Sequence, residues 1–318
     1  MERYQPITKC QYGTLDPKVN LEPDFFTGFQ PERREEIVRE EAKFYHDITR
    51  PYSVDHQIDT YYLNVKAEDG YQIPVKVYVP KKTRDKERPA VVFLHGGGFM
   101  TCSVETHDYV PAYLAAKASV ICFSVEYRLA PEHKFPTGLE DSYAVCKWVA
   151  AHTGEFGVAE DRIAVCGDSS GGNFAAVLCL MAKKRGDLHF WKQILIYPCT
   201  EMSGKVERQS AKVYAPVGGD SDGPSPMLAA YLNQMSEASD PWVSPMLSDD
   251  FTDLPPALFI EAECDSLIDD GLIYAKLLQD AGVCVEYHIY NGMPHAFILR
   301  TYEETFAALD CICKYLQT

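Results

Sequence analysis

The chain has no unbroken apolar run near the ~18 residues that a membrane-crossing helix requires. Met1 to Phe25 hold no basic region followed by an apolar core, so no secretory leader is expected either. Positive charge is scarce: 30 Lys and Arg stand against 46 Asp and Glu, a net charge of −16, which argues against nucleic acid and anionic membrane surfaces as partners. The 11 cysteines include no Cys-x-x-Cys, and several, such as Cys122, Cys166 and Cys179, sit inside apolar runs. That pattern points away from a zinc or disulfide framework and toward buried, reduced thiols in a cytoplasmic protein. Internal repeats and low-complexity linkers are missing as well. What is present is 318 residues, 46% of them hydrophobic, enough to bury a sizeable core in one large α/β domain or two small ones.

Short apolar runs at Ala90–Leu94, Val120–Val125, Arg162–Cys166, Gln193–Tyr197, Ala257–Ala262 and Val283–Ile289 read as strands. They alternate with helix-like stretches near 106–118, 138–152, 171–184, 269–281 and 302–316. Continuous apolar strands alternating with helices predict a mostly parallel central sheet with helices on both faces. Before them, Tyr61–Val65 and Tyr71–Val79 flank Asp69-Gly70 and predict a hairpin, hence an antiparallel edge. A helical stretch is expected near Pro31 to His46. Residues 200–240 are too long for one connection. They carry a helical patch, Met227–Met235, and follow a strand whose C-terminal end lies where α/β active sites sit, so they read as part of a cap. Within them Asp220-x-Asp222-Gly223 looks like a fragment of a calcium loop, but the third acidic ligand and distal Glu are missing, and no metal is expected.

The most informative residues are Gly167-Asp168-Ser169-Ser170-Gly171-Gly172, between the strand ending at Cys166 and an Ala-rich helix. Gly-x-Ser-x-Gly in that setting is a nucleophile elbow: the turn is tight, the Ser backbone strained, and the hydroxyl sits at a helix N-terminus where negative charge is favoured. The two flanking glycines fall at minus two and plus two of Ser169. For Ser170 the minus-two position would be Asp168, so Ser169 is the expected nucleophile. His95-Gly96-Gly97-Gly98-Phe99 follows directly on another strand. Consecutive glycines let backbone N–H groups approach an oxyanion unobstructed, so Gly97 and Gly98, with the N–H of Ser170, are the candidate oxyanion hole. His95 is expected to shape that loop rather than act as a base.

A Ser hydroxyl needs a base, and the base an orienting carboxylate; on an α/β sheet these follow in the order Ser, acid, His. Asp265 lies just past the strand Ala257–Ala262, and His295 lies on the loop after Val283–Ile289. Both therefore reach the same sheet edge as Ser169. Asp269 and Asp270 compete with Asp265 but read as helix N-terminal residues. Glu263 is too near its strand to swing freely. His288 falls within a strand and His133 in a Pro-rich loop.

Together these residues resemble the hormone-sensitive-lipase-like (bacterial family IV) carboxylesterases of the α/β-hydrolase superfamily. His95-Gly-Gly-Gly98 is similar to that family's oxyanion motif, and Gly167-Asp-Ser-Ser-Gly-Gly172 to its elbow, with Ser170 where Ala is usual. Tyr127-Arg-Leu-Ala-Pro-Glu132 with Phe135-Pro136 resembles a structural brace. Leu254-Pro-Pro-Ala257 with Glu263-Cys-Asp265-Ser-Leu267, and His295-Ala-Phe297, complete five ordered motifs between about 70 and 316.

The resemblance implies an α/β-hydrolase fold with a helical cap. It divides the chain into an N-terminal cap segment (1–50), a core (51–199), a cap insertion (200–240) and the rest of the core (241–318). It implies a Ser169–Asp265–His295 triad, an oxyanion hole from Gly97, Gly98 and Ser170, no cofactor, and hydrolysis of short-chain acyl esters. Amidase, formamidase and deacetylase chemistry would run on the same triad. A non-catalytic small-molecule receptor, as in the related plant gibberellin receptors, would lack the base that His295 supplies. Residues 283–316 are where such folds would form a homo-oligomer. Cys264 beside Asp265 and Cys102 after the oxyanion loop read as unreactive packing.

Overall fold

The computed structural model describes residues 12–21, 30–81, 87–214 and 226–318. Helix α1 (Arg34–Thr49) precedes the hairpin β1 (Ile58–Lys66) and β2 (Gln72–Pro80). The hairpin turns where expected: Gly70 takes a φ of +92°, and Tyr71 N–H donates to Asp69 Oδ1 at 3.0 Å. Then follow β3 (Arg88–Leu94), α2 (Tyr109–Ala118), β4 (Ile121–Val125), α3 (Thr137–Ala151), the single turn α4 (Thr153–Phe156), β5 (Val158–Asp168), α5 (Ser170–Arg185) and β6 (Lys192–Ile196). The short helices α6 (Gln209–Val213) and α7 (Pro226–Tyr231) precede β7 (Ala257–Cys264), α8 (Ile268–Asp280), β8 (Val285–Pro294) and α9 (Glu303–Gln317).

Eight strands form one sheet in the order β1-β2-β4-β3-β5-β6-β7-β8. The pairs β1/β2 and β2/β4 are antiparallel and all others parallel. The expected mostly parallel sheet with an antiparallel edge is therefore the observed one. Side-chain alternation divides the interior between two faces. Val92, Leu94, Val165 and Phe259 pack with α3, α5 and α8 on one face. Val91, Phe93, Cys166 and Ile260 pack with α2 and α9 on the other. Side chains such as Phe93, Phe123, Phe174 and Phe259 are fully buried, each worth about 1.5–3 kcal/mol over exposure.

Helix α5 is apolar all round because it is buried all round. It stops where Lys183, Lys184 and Arg185 meet the negative helix end and Gly186 takes a φ of +69°, donating its N–H to Ala182 O at 2.8 Å.

Beyond strands that run a few residues longer than expected, three boundaries bear on the site and the cap. Strand β8 continues through the Tyr290–Pro294 stretch read as loop, because after a bulge Pro294 still sits opposite Cys264. His295 therefore follows the strand without an intervening loop. Helix α2 begins at Tyr109 rather than 106, since Thr106 is spent in a turn, its Oγ1 accepting from Ser103 N–H and donating to Ser103 O. The Met227–Met235 patch is broken: α7 ends at Tyr231, and Gln234 with Glu237 forms a capping box that starts a separate 3-10 turn, Met235–Ser239. The Asp220-x-Asp222-Gly223 fragment and the middle of the 200–240 segment lie outside the described residues. Among the described residues, no helix is long and apolar enough to cross a membrane.

Candidate active site

Ser169 stands between β5 and α5 with φ 53° and ψ −117°, a conformation side chains rarely adopt. The surroundings impose it. Ser169 N–H donates to Ile196 O at 2.9 Å, and a Cβ on Gly171 would collide with the Leu94 and His95 carbonyl oxygens. Strain of this kind persists only where neighbouring structure over-determines it, and such positions cluster at functional sites.

From Ser169 a continuous hydrogen-bonded chain runs across three strand ends. Ser169 Oγ lies 2.9 Å from His295 Nε2, and His295 Nδ1 lies 2.6 Å from Asp265 Oδ2. A carboxylate can only accept, so Nδ1 carries the proton and the Nε2 lone pair faces the serine hydroxyl. Asp265 is buried, and its second oxygen accepts the Leu267 N–H at 2.8 Å, which fixes the carboxylate plane. His295 remains partly exposed, with the Tyr197 ring 4.7 Å away. Burial opposes a charge on the imidazole, but the Asp265 carboxylate outweighs it and holds His295 above its ordinary 6.5.

The loop after β3 packs against the elbow, with Leu94 paired to Gly167 in the sheet. Gly97 has φ +112° and Gly98 φ +59°. A Cβ on Gly97 would strike the Thr101 carbonyl, whose own N–H, with that of Met100, is accepted by Gly97 O. His95 is buried, stacked on Tyr127 at 4.3 Å, with Nδ1 2.7 Å from Gly96 O; burial drives its pKa down to about 3 and keeps it neutral. Tyr127 donates its hydroxyl to His95 O at 2.6 Å, and Arg128 pairs with Asp141 and Asp69. Ser170 opens α5 and is buried.

The remaining candidates fall elsewhere. Asp269 and Asp270 do not cap their own helix. Asp270 Oδ1 accepts the N–H groups of Thr200 and Glu201, both at 2.9 Å, and Oδ2 takes Arg208. Burial pushes Asp270 up to about 6 against the pull of Arg208. Asp269 accepts from Ser210 N–H and from the Tyr12 hydroxyl. These contacts fasten the start of the 200–240 segment and the N-terminal strip to the helix that follows Asp265. Glu263 lies within β7 and accepts Gly292 N–H at 2.8 Å. His288 faces Glu286, at 2.7 Å. Cys102 and Cys264 are buried, and burial raises both thiols. Among the described residues no disulfide forms. Among the described residues, the one group of His, Cys and carboxylate close enough to share a metal ion is Glu286, His288 and Cys311, away from Ser169, Asp265 and His295.

Two residues were missed. Asp168 is buried beside Ser169; it accepts the Gly96 N–H at 2.9 Å and lies 3.2 Å from His107 Nε2. It thereby ties the strand that leads into Ser169 to the loop of Gly97 and Gly98. The only signal was an acid in an otherwise Gly/Ser turn. His107 gave none, since it falls in a stretch read as helix.

A family model described as alpha/beta hydrolase fold matches residues 91–299. Carboxylesterase NlhH of Mycobacterium tuberculosis is 39% identical over 229 residues, 71% of this chain and 71% of that one. The ethyl acetate hydrolase of Pseudomonas putida is 33% identical over 247 residues, 74% of each. Among solved structures, a hyperthermophilic esterase from the archaeon Pyrobaculum calidifontis superposes with a TM-score of 0.81 at 37% identity, covering 89% of this chain and 92% of that one.

Proposed function

We propose a mechanism from one premise: the chain belongs to the hormone-sensitive-lipase-like esterases of the α/β-hydrolase superfamily, and it is a carboxylic ester hydrolase. Ser169 is the nucleophile, His295 the base and Asp265 the residue that orients it. The observation that carries this is the unbroken chain from Ser169 Oγ through His295 to Asp265, at 2.9 and 2.6 Å.

Ser169 Oγ attacks the ester carbonyl carbon while Nε2 of His295 takes its proton. Asp265 stabilises the imidazolium that results. The developing oxyanion is met by the N–H groups of Gly97, Gly98 and Ser170, whose preset positions cost no reorganisation as charge develops. His295 then gives its proton to the leaving alcohol, and water, activated by the same nitrogen, hydrolyses the acyl-enzyme.

The cap comprises the N-terminal segment and residues near 200–240. The Tyr12–Asp269 and Tyr214–Gly13 hydrogen bonds support this, since they bind those two segments to each other and to α8. Short acyl chains are the preferred substrates, a reading supported by the relative named ethyl acetate hydrolase. The cytoplasm is the proposed location, on the acidic composition and the buried thiols. The test is hydrolysis of p-nitrophenyl esters from acetate to palmitate by the wild type and Ser169→Ala. A peak at short chains that vanishes in the variant is expected. Turnover retained in folded Ser169→Ala would overturn the assignment.

A further inference from the structure

Strand β8 is an outer strand of the sheet, and its side chains alternate in role. Val285 and Tyr287 pack into the core shared with α8, and Tyr290 packs on the side of α9. By that alternation Glu286 and His288 also point to α9. There His288 Nε2 lies 2.7 Å from Glu286 Oε1, and Cys311 of α9 brings its Sγ into the group, so that all three ligand atoms lie within 4.8 Å of one another. Each residue is half-buried: its backbone is held in a strand or helix, while its polar end is reachable from solvent. None has a part in the proposed hydrolysis.

An imidazole, a thiol and a carboxylate are the ligand types that select a borderline divalent cation over calcium or magnesium. Tetrahedral bonds of about 2.0–2.3 Å place ligand atoms roughly 3.3–3.7 Å apart, so side-chain rotation of an ångström or so closes this set. We propose that Glu286, His288 and Cys311 form a binding site for a cation of the Zn2+ type, with water in a fourth position. The cation would clip the outer strand to the C-terminal helix. It would sit roughly 25 Å back along β8 from His295, at about 3.3 Å per residue, and so take no part in hydrolysis. Burial pushes the Cys311 thiol up to about 11, with Glu286 adding to the rise and Lys314 and Tyr290 opposing it. The cation must therefore displace a proton, and it binds more tightly as pH rises.

Co2+ tests this directly, because thiolate ligation produces a sulfur-to-cobalt charge-transfer band in the near ultraviolet. The intact chain and a Cys284→Ser variant, which removes the exposed thiol two residues before Glu286, should both show the band saturating at one equivalent. Cys311→Ser should abolish it. Because loss of a ligand's supporting partner alone costs 10–100-fold in affinity, His288→Ala should weaken Co2+ binding by at least about tenfold. Zn2+ should displace the Co2+ and raise Tm by about 4 °C at roughly a hundredfold excess over its Kd. Undiminished hydrolysis of p-nitrophenyl acetate checks that each variant is folded. No band in the intact chain, a band surviving in Cys311→Ser, or unchanged Co2+ affinity in His288→Ala would each overturn the site.

Discussion

Two His–Asp pairs meet the elbow at adjacent residues, Asp168 and Ser169, and only one of them has a ring nitrogen free for the serine hydroxyl. His295 gives Nδ1 to Asp265 at 2.6 Å and keeps Nε2 for the Ser169 hydroxyl, with the ring partly open to solvent. His107 approaches Asp168 at 3.2 Å through Nε2, but its Nδ1 is taken by Thr106 Oγ1 at 2.8 Å and the ring is buried. Its Asp is equally committed, holding the Gly96 N–H. A general base needs a ring nitrogen facing the proton it will take. His295 has one, whereas both nitrogens of His107 are engaged. Residue type and charge pairing alone would not separate the two pairs; the destination of the second ring nitrogen does.

That contrast can be broken most forcefully by paired alanine substitutions. His295→Ala should lower kcat for p-nitrophenyl acetate by roughly 10⁴–10⁶-fold, a far larger effect than its loss of stability. His107→Ala should do the reverse. It leaves Asp168 buried without its countercharge, which costs about 3–5 kcal/mol of stability by urea unfolding, while the surviving folded enzyme keeps most of its kcat. Comparable kcat losses in both variants, with the fold intact, would erase the distinction.

The pH dependence sharpens it further, because the two histidines act with opposite consequences. The proposed mechanism needs neutral His295, whose proton affinity is raised by Asp265 against burial. kcat/KM should therefore fall with decreasing pH through a midpoint above 6.5. Asp265→Asn removes the carboxylate and leaves the burial, so that midpoint should move down as kcat drops. An unmoved midpoint would detach Asp265 from the base.

The buried pair governs stability instead. Burial opposes both charges, yet each partner outweighs it, so His107 is raised and Asp168 lowered. The raised His107 contributes stability that is fully present below 6.5 and lost as pH rises through its folded value. The lowered Asp168 contributes stability present above 3.8 and lost as pH falls through its folded value. Stability against pH should thus be greatest between those limits, and His107→Ala should flatten it.

The smallest effect concerns how the first described helix holds the oxyanion loop. Arg34 donates to Met100 O at 2.7 Å and to Ala130 O, and pairs with Glu132, which is mostly exposed. Arg34→Ala should cost about 1–2 kcal/mol of stability with little change in kcat. A kcat loss as large as that of His295→Ala would place α1 within the catalytic machinery.

Much of the site could be read from the sequence because its demands are local. A strand, a turn too tight for Cβ at Gly171 and an Ala-rich helix must be neighbours in sequence to make an elbow. The glycines of the Gly97 loop answer a requirement on φ that only their own positions can meet. Alternating apolar runs likewise announced the parallel sheet. Asp168 and His107 were not readable in this way, since their partnership crosses from β5 to the turn before α2 and leaves no periodicity behind. Glu261 is a sharper case: an acid inside an apolar strand, buried against α8 where a Cβ on Gly271 would collide with it. Burial raises its carboxyl well above the ordinary range and keeps it neutral. Composition would have placed it at a surface.

The sequence by itself therefore determined the fold class, the order of the proposed nucleophile, acid and base, and the residues free of Cβ where backbone must approach backbone. Only the tertiary structure decided that both ring nitrogens of His107 are engaged, which aspartate braces the loop and which pair the 200–210 stretch to α8. Those outcomes depend on strand order and on distances between residues far apart in the chain, and on how burial weighs charge against partner. A local pattern carries neither.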